Sequence, residues 1–253
     1  MLFGKYASQK AEARYPHLWD GLVGAWCPTI QSPSGNTLYD LSGRNRHGTL
    51  TNMDPAGDWI RNGLDFDGSN DYVDCGTIAG MQFSNTSNFS IACRFLARST
   101  TAERGLITRV NSSDQGWAFT ISSGVLRFPA WNAGITASIS SNTVYHACVI
   151  NRAGTREIYL DGRLAVSGTT GTITANTINT VIGRYYGNFA GFCHDGWIDE
   201  PAVWSRALSA WEVRLLASRR RVLFAARRPF FGLTATFRFR SNYAQVFTSG
   251  VLG

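Results

Sequence analysis

An all-β chain folded as an antiparallel jelly-roll β-sandwich, with one short C-terminal helix and extended terminal arms, is what this sequence predicts. Three observations carry the prediction. Apolar and polar residues alternate with period two along many short runs, turn-forming residues separate those runs at roughly ten-residue spacing, and one helix start is written out in full near the end. The expected division is an N-terminal arm over 1–19, a sandwich over 20–216 and a basic, aromatic tail over 217–253.

Residues 1–19 mix polar and aromatic side chains without strand period, and read as an arm reaching Tyr15-Pro-His-Leu-Trp19. The sandwich opens with the apolar run Leu22–Trp26. Gly43-Arg-Asn-Arg-His-Gly48 is a polar turn whose Asp40, Asn45 and His47 could serve a ligand, although Asp and Asn beside glycines more often cap their own backbone. A loop over 54–62 carries Trp59, and residues 64–74 form a strand interrupted at Asp67-Gly-Ser-Asn70. From residue 88 the alternation is steady: Phe89, Ile91, Cys93 and Phe95 share a face, and Gly105–Val110 follows. Trp117–Ile121 and Val125–Phe128 flank Ser122-Ser-Gly124 as a hairpin. Tyr145–Ile150 and Arg156–Leu160 come next, and Asp161-Gly162 is a two-residue turn into Leu164–Val166. The Thr- and Gly-biased stretch 169–178 suits a sandwich edge or loop. Trp197, Asp199 and Pro201 then alternate against Ile198, Glu200 and Ala202, with Trp26, Trp117, Trp197 and Trp204 expected in or beside the core. Ser209 and Glu212 have the spacing of a capping box, which starts a short helix at once.

Composition narrows the functional classes. With 44% hydrophobic and 13% aromatic residues in 253, there is material for a packed core, and no apolar run approaches the ~20 residues of a membrane span. Net charge is +7, unevenly spread. The last 37 residues hold seven arginines and no acid, and removing these from the 24 basic residues leaves 17 against 17 acidic ones. A neutral body with one cationic arm points to docking through that arm rather than to a nucleic-acid surface. Five scattered cysteines, none in a Cys-x-x-Cys pair, and no secretory signal in the first ten residues lead us to expect reduced thiols and synthesis in a cytosol.

Five segments occur in an order that resembles the laminin-G-like, concanavalin A-like domains: Gly21-Leu-Val-Gly-Ala-Trp26, Leu38–Gly48, Leu64–Val73, Ile158-Tyr-Leu-Asp-Gly162 and Trp197-Ile-Asp-Glu200. The likeness covers roughly residues 20–216, and departs from the pattern at Arg94, where members usually carry a tryptophan. The opening Leu22–Pro28 and the basic tail are also similar to uncharacterised laminin-G-like proteins of tailed phages and prophages. The resemblance implies one Ca²⁺ site, at Asp199 with Asp40 or Asp67 as partners; hard carboxylate and amide oxygens suit that ion. A glycan would be bound by exposed aromatics stacked on sugar faces with amides fixing hydroxyls, for which Trp59, Trp131, Tyr185 and Tyr186 in Gly/Asn-rich loops, with Asn132 and Asn188 close by, are candidates, although such aromatics more often pack on their own sandwich.

Catalysis finds little support in the residues. Glycanases of this superfamily need two carboxylates a few ångströms apart, as in Glu-x-Asp-x-x-Glu, and none of the five glutamates has that spacing. Glu157 and Asp161 come nearest, but Asp161 reads as a turn residue. His17, His47, His146 and His194 are isolated, and no Gly-x-Ser-x-Gly elbow, phosphate loop or Cys/His metal spacing appears.

The expected function is therefore a non-enzymatic virion structural protein, a head decoration or tail-associated protein of a phage particle, displaying a sandwich able to bind a glycan. A free carbohydrate-binding lectin or adhesin, extracellular, is the alternative, and a glycoside hydrolase ranks third. Docking falls to Arg219, Arg220, Arg221, Phe224, Arg227, Arg228, Phe230, Phe231, Phe237, Arg238, Phe239 and Arg240, with Thr234–Arg240 alternating as an edge strand. Capsid or tail proteins are the expected partners, beside self-association and a cell-surface glycan; nucleic acid ranks below them and membrane insertion is not expected. Removal of 217–253 is expected to leave a folded sandwich.

Overall fold

The structure is a computed structural model that describes residues 6–32, 35–111, 113, 115–129, 134–185 and 192–226. Two antiparallel sheets face one another. The first runs in the order β14 (Arg163–Gly168), β13 (Thr155–Leu160), β12 (Val144–Arg152), β7 (Phe89–Ala97), β16 (Asp195–Trp204), β5 (Gly63–Asp67), β4 (Trp59–Ile60), with β1 (Leu22–Ala25) also paired to β16. The second runs β11 (Ile135–Ser138), β10 (Val125–Phe128), β9 (Gly116–Ser122), β8 (Arg104–Val110), β15 (Val181–Ile182), β6 (Tyr72–Asp74), β3 (Gly48–Thr51), β2 (Thr37–Leu38). The expected sandwich is thus present, and β5 and β6, read as one interrupted strand, belong to different sheets, with the Asp67–Asn70 turn arching between them.

Alternation decides what fills the space between the sheets. Phe89, Ile91, Cys93 and Phe95 of β7 point inward together and meet Trp117, Phe119 and Phe128 from the second sheet. Phe83 stacks on Phe89 with ring centroids 4.2 Å apart. The turn at Asp161-Gly162 has both residues left-handed, φ +48° and +79°, as a two-residue hairpin requires. All five cysteines are buried and free, and no helix among the described residues is long and apolar enough to cross a membrane.

The first sheet is apolar on its outer face as well. Ala92, Cys148, Ile150, Tyr159, Ala202 and Trp204 form a second cluster there, closed by the first and last described segments of the chain. Residues 1–19 are accordingly more than an arm. They contain α1 (Tyr6–Glu12) and a 3₁₀ turn over Pro16–Trp19 that buries Leu18 and Trp19. The capping box at Ser209 and Glu212 starts α2 (Ala210–Ser218) as expected. After it the chain stays on the body. Val222 and Leu223 are buried, Phe224 packs edge-on against Trp19, and Ala226 bridges to Ala13. Trp19 Nε1 donates to Leu223 O at 3.0 Å and Trp204 Nε1 to Leu18 O at 2.7 Å. Through Ala226, the first part of the expected tail over 217–253 is thus a wall of the domain, because the apolar outer sheet face needs a cover.

β16 carries a bulge between Asp199 and Ala202, where its pairing with β7 shifts register and Glu200 takes φ +54°. Simple alternation would send Asp199 and Glu200 to opposite faces; the bulge presents both to the segment after α2. Asp199 accepts from Arg220 and Glu200 from the backbone N–H of Arg221. Gly63 lies against the bulge with φ +151°, and a Cβ there would stand 2.3 Å from Ile198 O. Arg94 fills the space beneath α2, 3.7 Å from Glu200 and donating to Ala217 O. Burial first, and then the neighbouring Asp199 carboxylate, push Glu200 up to about 7, against the opposing pull of Arg221 N–H, Arg94 and Arg220.

Two outcomes follow from this packing. Leu223→Ala should cost about 2–5 kcal/mol in chemical denaturation, as for any buried leucine, where a leucine in a free arm would cost nothing. Because Glu200 holds its proton more readily folded than unfolded, its contribution to stability is complete below about 4.5 and is lost as pH rises through about 7. Glu200→Gln should therefore melt with the wild type at pH 5 and above it at pH 8, by up to roughly 3 kcal/mol in stability.

Candidate functional site

Leu50 of β3 and Val73 of β6 point into the core, so their neighbours Thr49, Thr51, Tyr72 and Asp74 point out of the second sheet. Thr49 pairs in register with Asp74, and Thr51 with Tyr72. Thr49, Thr51 and Asp74, together with His47, Cys75, Gly76 and Asn179, line a polar cleft of about 390 Å³. Asp74 is oriented within it: Oδ1 accepts from Gly76 N–H at 2.8 Å and Oδ2 from Asn179 Nδ2 at 3.0 Å. Asn179 Oδ1 accepts from Thr77 Oγ1 at 2.9 Å, which fixes the amide. His47 Nδ1 accepts from Asp40 N–H at 3.0 Å, so the proton of the ring sits on Nε2, a donor for the cleft. The rim is aromatic on one side, where Tyr39 meets the His47 ring at 5.1 Å, and the Arg184 guanidinium lies 3.4 Å over the Tyr72 ring.

A buried arginine places Asn179. Arg109, 1% exposed, donates to Ile78 O, to Thr180 Oγ1 and to both the amide and the carbonyl of Asn176, tying down the loop before β15. With no carboxylate among these partners, burial lowers it to about 10. The strand then continues Thr180 N–H to Gly76 O and Cys75 N–H to Thr180 O, each at 2.9 Å. A carboxylate, two threonine hydroxyls, an amide and an imidazole N–H, converging in an open cleft without a metal-type cluster, are groups that hold hydroxylic ligands through hydrogen bonds.

The expected sites are placed differently. Asp40, Asp67 and Asp199 do not assemble a calcium ligand set, and among the described residues no group of three or more His, Cys, Asp and Glu could hold a metal. Asp40 closes its own turn, accepting from the N–H groups of Ala25, Ser42 and Arg46. Asp67 accepts from Ser69 and Asn70 N–H; although burial pushes it up, these backbone bonds hold it below the ordinary carboxylate range. Its neighbour Asp71 accepts from Asp67 N–H and is raised by burial to about 6, within the same turn. Asp199 is taken by Arg220 at 2.6 Å and by Thr29 Oγ1 at 2.9 Å, so a cation would have to displace a guanidinium. The residues do not fit the implied ion.

Of the loop aromatics, Tyr185 is fully buried, packed with Val110, Ala118 and Phe192, and Trp59 is half-buried with its indole N–H on Pro28 O at 2.9 Å. Neither presents a free face for a sugar. Trp131, Asn132, Tyr186 and Asn188 lie outside the described residues. So do Arg227, Arg228, Phe230, Phe231, Phe237, Arg238, Phe239 and Arg240; of the remaining docking candidates Arg219 is exposed, whereas Arg220, Arg221 and Phe224 engage the sandwich. Glu157 accepts from Arg152 and from Tyr159 Oη, and Asp161 from His146 N–H, each in a local structural bond. Thr49, Thr51, Asp74 and Asn179 are not among the expected site residues. The x-Thr-x-Thr and Tyr-x-Asp alternations mark them as outward positions, but only the β3–β6 pairing brings them together.

Comparison with curated protein sequences gives no match. Among solved structures, a mutant of Trypanosoma rangeli sialidase with trans-sialidase activity superposes at a TM-score of 0.62 and 16% identity, covering 82% of this chain and 34% of that one. The botulinum neurotoxin serotype D binding domain gives 0.58 at 14% identity, and the binding domain of Paraclostridial Mosquitocidal Protein 1 gives 0.58 at 18%, each covering 79% of this chain and 52% of the other. The chain thus spans about a third of the sialidase and half of the toxin domains, and these likenesses concern the fold. A family model matches residues 67–214, from the turn after β5 through most of α2. With that match across more than half its length and a two-sheet antiparallel sandwich beneath it, the chain belongs to the Laminin_G_3 family of the concanavalin A-like lectin/glucanases superfamily.

Proposed function

We propose that this chain is a non-enzymatic recognition module that binds a glycan through the polar cleft and is carried on a larger assembly by its opposite face. One observation carries the reading: the cleft lies on the outer face of the second sheet, whereas the first and last described segments of the chain, Ala13–Trp19 and Val222–Phe224, gather on the outer face of the first. A domain held at its terminal face would direct the cleft away from its carrier. The family includes lectins by description, and one structurally similar sialidase was solved in complex with sialic acid, which is consistent with a sugar as the ligand. Hydroxyls of a pyranose suit the cleft, since a carboxylate and an amide accept and donate to adjacent hydroxyls while His47 Nε2–H supplies a further donor. The absence of hydrolysis is supported by the engagement of Glu157 and Asp161 in local bonds.

A phage virion is the carrier favoured by the resemblance of the opening and tail segments and by the arginine-rich, acid-free C-terminal region. Capsid or tail proteins would then be the partners, and a free lectin is the rival. Purified particles separate the two: the virion reading requires the chain at fixed stoichiometry in particles, and its recovery only as free protein would refute it.

The cleft is tested on an array of immobilised glycans. Binding by the wild type should weaken about tenfold or more in Asp74→Ala, corresponding to about 1.4 kcal/mol for a lost charge-assisted bond, with the melting temperature little changed. No reducing ends should appear on a polysaccharide panel. Equal binding by the wild type and Asp74→Ala, or turnover, would count against the proposal.

A further inference from the structure

Asp199 is the most deeply buried acid of the β16 bulge, at 0% exposure, and its charge is met from the chain's own C-terminal segment. Arg220 Nη2 stands 2.6 Å from Oδ2 and also donates to Asn62 O at 2.9 Å, while Nη1 reaches Asn62 Oδ1 at 3.4 Å. Its guanidinium lies 5.9 Å from the centre of the Trp197 ring. Thr29 joins this contact to the next residue: its hydroxyl donates to Asp199 at 2.9 Å and accepts from Arg221 Nε at 3.1 Å, and its carbonyl accepts from Arg221 Nη2 at 2.9 Å. Arg221 N–H then donates to Glu200.

We propose that Arg220 is a built-in counter-cation that stands where the family likeness would put a divalent metal, so that the C-terminal segment, and not an ion, completes the sandwich at the bulge and is clamped there. Charge and shape both favour it. A planar guanidinium can bond a carboxylate and a carbonyl in different directions at once, which a lysine ammonium on the same stem does less well. Arg220 Nη2 at 2.6 Å and Thr29 Oγ1 at 2.9 Å together engage both lone-pair directions of Oδ2. The backbone shows the clamp's effect one residue later. Arg221 is left-handed, φ +64°, an uncommon conformation for a side chain of this size, and three bonds to Thr29 and Glu200 hold it. That turn is what drops Val222 and Leu223 into the second core.

The full-length chain tests this by thermal unfolding in chelator and in millimolar calcium, together with limited chymotrypsin digestion, which cuts beside Leu223 and Phe224. The wild type should melt at one temperature in both buffers. Arg220→Ala should melt about 6 °C or more lower, as expected when a buried carboxylate loses its partner, and should be cut at least tenfold faster. Asp199→Asn combined with Arg220→Ala should recover part of the loss, because no unpaired charge remains. Calcium should restore none of these variants. A wild-type melting temperature that rises with calcium, an Arg220→Ala protein as stable and as resistant as the wild type, or a variant rescued by calcium would overturn the proposal. If Arg220→Ala does not fold, Arg220→Lys carries the test: a lowered melting temperature indifferent to calcium supports the clamp, and an unchanged one refutes it.

Discussion

The first sheet of this sandwich is apolar on both faces, and the rest of the architecture answers that constraint. Its inner face meets the second sheet in the ordinary way, but Ala92, Cys148, Ile150 and Trp204 on the outer face would leave a broad hydrophobic patch in water. The first and last described segments of the chain are drawn over it. Trp19 and Trp204 each bury a large ring there while their indole N–H groups reach backbone carbonyls of the opposite terminal segment or turn, so the cover is fixed in direction as well as in area. α2, capped by Ser209 and Glu212, sits between them and delivers the chain to its last described turn. A third layer results, built from the segments that lie farthest apart in sequence.

That layer makes the two faces of the molecule unlike. One is occupied by the first and last described segments of the chain. The outer face of the second sheet keeps threonines, an aspartate and an amide in a shallow cleft, and their geometry depends on a buried cation that has no carboxylate among its hydrogen-bond partners here. Arg109 binds four neutral acceptors and so holds the loop that carries Asn179. Such a group is costly to desolvate, and its retention is explained by the number of backbone and side-chain oxygens it satisfies together. The cleft is therefore a property of the core as much as of the surface.

The charged bulge of β16 is the point where the layers are joined. Asp199 and Glu200 on the sheet, Arg94 beneath α2 and Arg220 and Arg221 after it form one ionic group around Thr29, partly closed from water. Arg94, where the resemblance leads to the expectation of a tryptophan, takes on meaning there: a cation under the helix faces Glu200, where an indole would leave that acid with one fewer partner. Buried ionic groups of this kind add little net stability when intact, but losing a cation from one leaves a buried carboxylate unpaired, which favours a single arrangement of the segment the cations hold.

What the sequence by itself determined is local. Period-two alternation placed Phe89, Ile91, Cys93 and Phe95 in the core, Asp161-Gly162 made its hairpin, and Ser209 with Glu212 began its helix, because each signal acts within a few residues and reports how the backbone meets its nearest neighbours. The order of five segments was enough to indicate the family. The tertiary structure alone decided which strands share a sheet, and hence that Thr49 stands beside Asp74, that Tyr185 is core rather than surface, and that Asp199 meets Arg220 in place of a metal. A carboxylate in a turn or strand has the same local pattern whether it caps an amide, binds an ion or pairs with an arginine. The difference lies in a partner up to 170 residues away, as Thr29 is from Asp199, and chain folding rather than spacing brings that partner within hydrogen-bond reach.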